Sequence, residues 1–143
     1  MISVKQLITG MLLMVAGTFG VLAEQKKTLG DWDAHYIVVN TAFLTPDVAK
    51  AYDIVRSKYS ALVNVSVLNK RTQKPQRVDV TGTATNLLGS AQQLKFRRVE
   101  DGDAIYYLAV LSFDNLETFR FNIRLQQGDE RQTLKFQQKL YTE

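Results

Sequence analysis

The run Ala104–Ser112 is apolar in both of its alternating registers, Ile105, Tyr107, Ala109 and Leu111 on one side and Tyr106, Leu108 and Val110 on the other. An extended segment of that kind needs cover on both faces, so it reads as a central strand. Gly102 and its polar neighbours bound it upstream, and its β-branched and aromatic content favours a strand over a buried helix. Whatever this chain folds into must supply two apolar surfaces to one strand.

The flanking segments offer partners. Residues 31–40 are strand-prone through Trp32, Tyr36, Ile37, Val38 and Val39, after a turn at Leu29-Gly30. Thr45-Pro46-Asp47 supplies an N-cap, a first-turn proline and an acid, which predicts a short helix crossing between strands. Val63, Val65 and Val67 alternate with Asn64 and Ser66, and Val78, Val80 and Ala84 alternate with Asp79, Thr81, Thr83 and Thr85. Gly82 inside the latter run marks a bulge or a close approach of another backbone.

Residues 92–99 and the central run enclose Glu100-Asp101-Gly102-Asp103, a hairpin signature. Phe119, Phe121, Ile123 and Leu125, and then Leu134, Phe136 and Leu140, complete the alternation on either side of Gln127-Gly128-Asp129-Glu130. About seven strands with regular turn signals and one short helix predict an all-β fold, an antiparallel two-sheet sandwich of immunoglobulin-like type. A small β-barrel is the competing architecture.

The first residues stand apart from this pattern. Lys5 is the only charge before an apolar run over residues 7–23, and Val21-Leu22-Ala23 suits a signal peptidase. Residues 1–23 therefore read as a cleaved secretory signal peptide and 24–143 as a single β-sandwich domain, periplasmic after export. Membrane contact is expected only through the signal segment, if it is left uncleaved. Cleavage would take the net charge from +4 to about +3, too weak a basic balance to announce a polyanion by itself.

All three methionines, Met1, Met11 and Met14, lie in the signal segment, and the chain has no cysteine. Soft copper sites, thiol redox chemistry and lipid attachment lose their side chains. With His35 the only imidazole, zinc and haem centres lose theirs too. No cofactor and no metal is expected.

The signal segment together with His35-Tyr36, Phe43-Leu44-Thr45-Pro46, Ala49-Lys50-Ala51-Tyr52, Arg56-Ser57-Lys58-Tyr59, Asn64-Val65-Ser66-Val67, Gly82-Thr83-Ala84-Thr85-Asn86-Leu87 and Asp103-Ala104-Ile105-Tyr106-Tyr107 resembles the uncharacterised bacterial family catalogued as domain of unknown function 4426. The resemblance spans the whole of 24–143. It implies a small exported protein of Gram-negative bacteria and carries no activity, cofactor or functional residue.

Three constellations remain. Asp33 and His35 share a strand face and, with a hydroxyl such as Ser57, would make a hydrolase or metal-assisted centre. No nucleophile-elbow motif accompanies them, and an edge-strand histidine with a local hydrogen bond is the simpler reading, so no catalytic residue is assigned. Glu100, Asp101 and Asp103 crowd oxygens around Gly102 without calcium-loop spacing.

The polar registers of the last two runs hold Arg120, Arg124, Arg131, Lys135 and Lys139 with no carboxylate, and Lys95 and Arg97 stand to extend this basic face. Leu87 and Leu88, in a turn, offer an apolar contact. These residues predict a non-enzymatic binding or accessory module for an anionic cell-envelope component or a periplasmic protein. Nucleic acid is not expected, because export separates the chain from it and the aromatics fall in the core register. The remaining alternative is an assembly accessory that pairs strand edges.

Overall fold

The doubly apolar run forms β7 (Ala104–Ser112) in a computed structural model that describes residues 24–142. The predicted signal segment lies outside the described residues. Before β7 come β1 (Gln25–Leu29), β2 (Trp32–Asn40), β3 (Ser60–Asn69), β4 (Asp79–Asn86), β5 (Ala91–Leu94) and β6 (Arg97–Asp101), and after it β8 (Glu117–Gln127) and β9 (Glu130–Leu140). All pairings are antiparallel, in a five-stranded sheet of order β1-β2-β3-β7-β6 and a four-stranded sheet of order β5-β4-β8-β9. The sheets stack as a sandwich and close no barrel.

The alternation dictates the packing. Val63, Val65 and Val67 of β3, Ile105, Tyr107 and Leu111 of β7, and Phe119, Phe121, Ile123 and Leu125 of β8 all point between the sheets and are buried. The opposite register of the five-stranded sheet is covered as well, by a 3₁₀ turn at Thr41–Phe43 and a helix, α1 (Pro46–Ala51). Leu44, Val48, Ala49, Tyr52 and Ile54 of that segment pack on Ile37, Val39, Leu62 and Leu108. So β7 finds both its covers, the second sheet on one face and α1 on the other.

α1 begins as its sequence requires. Thr45 Oγ1 accepts a hydrogen bond from the Val48 amide at 3.3 Å, Pro46 opens the first turn, and Asp47 and Lys50 complement the helix dipole.

The described residues form nine strands where the sequence suggests seven. β1 has no apolar period, its residues being mostly exposed, and it exists through its pairing with β2. Residues 92–99 are two strands in different sheets, because the chain crosses the open side of the sandwich between Leu94 and Arg97. β2 is consequently an inner strand, flanked by β1 and β3, and His35 is not on an edge.

Gly82 marks a close approach. A Cβ there would meet the Asn122 carbonyl oxygen of β8 at 2.9 Å and Ile123 Cγ1 at 3.0 Å. Gly82→Ala is expected to force β4 from β8 and cost about 1–3 kcal/mol, measured as a shift of the urea midpoint at unchanged slope.

At the other end Asp33 holds three segments together. Its carboxylate accepts from Thr28 Oγ1 at 2.8 Å and from Gln73 Nε2 at 2.9 Å, tying the β3–β4 loop to β1 and β2. The bond from Thr28, then that from Gln73, hold its pKa below the ordinary 3.8. A carboxylate lowered on folding stabilises above its unfolded pKa, and that contribution is lost as pH falls through the folded value. The melting temperature of the wild type should therefore decline as pH drops below the usual aspartate range. Asp33→Asn should melt lower at neutral pH and decline less on acidification.

Candidate binding surface

The outward register of β4, β8 and β9 is polar throughout. On the β8–β9 ladder it reads, row by row, Thr118 beside Lys139, Arg120 beside Gln137, Asn122 beside Lys135, Arg124 beside Thr133 and Gln126 beside Arg131. Every row holds one cation and one neutral residue, and the cation alternates between the strands. The arrangement is a zigzag of five positive charges, with successive rows about 7 Å apart along the strands.

Register explains why such density is tolerated: no two cations face each other directly. The five side chains are exposed, and among the described residues none has a carboxylate within ion-pair distance. Lys139 lies over the Tyr141 ring at 5.8 Å. β4 continues the face with Thr85 beside Arg120, Thr83 beside Asn122 and Thr81 beside Arg124, and its one acid, Asp79, stands at the far margin beside Gln126. Hydroxyls and guanidinium or ammonium groups are thus presented together, a set that meets phosphate or carboxylate oxygens.

Arg120, Arg124, Arg131, Lys135 and Lys139 share this face, as the sequence predicts. Lys95 and Arg97 do not. They lie where the chain crosses to the five-stranded sheet, and Arg97 donates to the Tyr52 carbonyl beneath α1. Alternation within one run cannot reveal that the run changes sheets. Leu87 and Leu88 are exposed at the tip of the β4–β5 turn, 61% and 93%.

The other constellations come apart. Asp33 is occupied by Thr28 and Gln73, while His35 turns its Nδ1 to Glu24 Oε1 at 3.5 Å. Ser57 sits beside Thr41, past the opposite end of β2, where its amide donates to Thr41 Oγ1 and its carbonyl accepts from it. No triad forms. Burial raises the pKa of Glu24, and the neighbouring His35 offsets part of that rise. His35 Nε2 and Asn64 Oδ1, diagonal neighbours on β2 and β3, are buried without a hydrogen-bond partner.

Around Gly102, Glu100 is spent on structure, pairing with Arg77 at 2.7 Å and with Arg98 at 3.6 Å. No group of three His, Cys, Asp or Glu able to hold a metal occurs among the described residues.

One feature is visible only in three dimensions. The connections at the end of the sandwich that carries the β4–β5 and β7–β8 turns hold nearly all the exposed large apolar side chains of the described residues, from Phe43, Val55 and Tyr59 to Leu88, Leu116 and Tyr141. A groove of about 760 Å³ opens there, with Val55, Tyr59 and Val110 on its walls and Asp53, Asp114 and Glu117 as its charges.

No curated protein matches the chain in sequence. A crystal structure of a DUF4426 family protein from Pseudomonas aeruginosa PAO1 is 39% identical, covering 82% of this chain and 94% of that one with a TM-score of 0.73. A copper-bound variant of FetP from uropathogenic Escherichia coli strain F11 covers 83% of this chain and 95% of its own at 10% identity and a TM-score of 0.57. The same protein as isolated gives 9% identity, 83% and 93% coverage and a TM-score of 0.54, so FetP shares the fold and nothing further is shown by it. Residues 26–143 match the family described as a domain of unknown function, and with the Pseudomonas relative this places the chain in the DUF4426 family.

Proposed function

We propose that this protein is an exported, non-catalytic binding module of the periplasm, and that its β4–β8–β9 face holds a phosphate-bearing component of the cell envelope. The observation that carries the reading is the zigzag of Arg120, Arg124, Arg131, Lys135 and Lys139, one cation per row, bordered by the threonines of β4. A face that only kept the protein soluble would gain more from mixed signs than from a single-sign field. Export follows from the signal-like character of residues 1–23.

Copper, which FetP holds in one of its structures, does not suit this chain. Residues 24–143 contain no Met or Cys, and His35, the sole imidazole, directs Nδ1 at Glu24 with its other nitrogen buried beside Asn64. The donor set is too small and too hard for that metal.

Reversal of Arg120, Arg124, Lys135 and Lys139 to Glu tests the reading against vesicles containing phosphatidylglycerol and against lipopolysaccharide. Wild-type binding to one of the two should weaken as salt rises, and the reversed protein should bind at least about tenfold more weakly at low salt. Equal binding by a folded quadruple variant discards the face as the site.

A further inference from the structure

The groove at the apolar end has an open strand edge as its floor. β6 runs beside β7 only from Asp101 opposite Ala104 to Arg97 opposite Leu108. Beyond that point β5 belongs to the other sheet, so residues 109–112 of β7 have β3 on one side and no hydrogen-bonded strand on the other, where β5 lies close by without pairing. The Ser112 amide and carbonyl on that edge are taken up by one side chain: Gln92 Oε1 accepts from Ser112 N at 3.2 Å and Gln92 Nε2 donates to Ser112 O at 2.6 Å. A primary amide is here imitating a strand neighbour. By strand alternation Val110 presents its own N–H and C=O on the same edge, while the Phe113 amide, of opposite parity, bonds back to Tyr59.

Val110 is also 50% exposed and borders two grooves. The larger contains Asp53, Asp114 and Glu117 and no cation. The smaller, about 240 Å³, is edged by Lys95 and Arg97 and contains no acid. Charge therefore changes sign along the open edge, from negative at the end of the sandwich to positive where β6 begins.

We propose that the open edge of β7 receives an extended segment of a partner polypeptide, antiparallel to β7 as a continuation of β6. Its leading residues are basic and meet Asp53 and Asp114, its trailing residue is acidic and meets Lys95, and its backbone pairs with Val110. Gln92 occupies Ser112 until the segment displaces it, which keeps the bare edge from pairing at random. Backbone recognition on a sheet edge with pockets for alternate side chains is an established mode of peptide capture.

One other occupant is disfavoured by the same charges. An anionic bilayer would meet three carboxylates and no cation in the groove. A second copy paired antiparallel about a two-fold axis would bring the carboxylates near Ser112 towards the cations near Leu108, so it is separated from a partner segment by the dimer measurement below and not by charge. This site is separate from the basic sheet face, and either can fail without the other.

The probe is a fluorescein-labelled peptide of alternating valine and threonine with lysines at its N-terminal end and a glutamate at its C-terminal end, compared with its reversed-sequence twin. The lysine-first peptide should bind at least about tenfold more tightly than the twin. Val110→Pro removes the edge N–H without touching a bond to β3, and should weaken binding about tenfold. Val110→Lys, which blocks the edge by charge, serves if the proline variant does not fold. Asp53→Asn with Asp114→Asn should bring the two peptides to within about threefold of each other. Equal affinity for the two peptides, or unchanged binding by a Val110 variant with the wild-type melting temperature, overturns the proposal. So does a concentration-dependent dimer, or vesicle binding, that Val110→Lys abolishes.

Discussion

Tyr36, Phe136 and Phe121 stack across the interior, with ring centroids 4.3 Å apart for the first pair and 4.6 Å for the second. Tyr36 belongs to β2 of one sheet, the two phenylalanines to β9 and β8 of the other, so this column fixes the separation and the lateral offset of the sheets together. Offset aromatic pairs are worth about 0.5–1.5 kcal/mol beyond the area they bury. Their greater effect here is positional. With the column in place, Gln138 Nε2 reaches the Val38 carbonyl at 3.1 Å and the Lys27 ammonium reaches the Lys135 carbonyl, closing the side where β1 and β9 meet.

The opposite side is left to a strand that cannot serve both sheets at once. β5 pairs with β4, β6 pairs with β7, and the chain between them changes sheets. The upper part of β7 loses its neighbour as a direct result. The open edge, its Gln92 substitute and the paired grooves all follow from that crossing, and so does the separation of Lys95 and Arg97 from the basic face.

This history explains what the sequence disclosed. Period-two patterning showed β3, β4, β7, β8 and β9 because each packs a whole register against a core, and Thr45-Pro46 announced α1 through capping chemistry that is local. The basic face was legible for the same reason: a tight turn at Gly128 forces β8 and β9 to pair, so their polar registers must share one surface. β1 was hidden because its side chains face mostly solvent and its order comes from β2. The grooved end was hidden too, since Asp53, Val110 and Asp114 sit in separate segments that only the sheet order brings together.

Double burial of β7 also bears on where recognition can occur. Tyr107 is spent on structure, its hydroxyl accepting from the Val78 amide at 2.8 Å inside the core. Tyr106 faces the cover beneath α1, where burial first, then Glu24, raise its pKa. A strand packed on both faces can offer a partner only its edges; β3 pairs with residues 107–112 and β6 with residues 104–108, which leaves residues 109–112 unpaired on the β6 side. The four-stranded sheet is the reverse case: one of its faces is bare, and that face offers a broad surface of side chains and no backbone. A flat, cationic face suits a repeated anionic headgroup, whereas a short groove with polar backbone and a change of charge sign suits a directional chain. The two surfaces differ in the chemistry they can read because the two sheets differ in how many of their faces are buried.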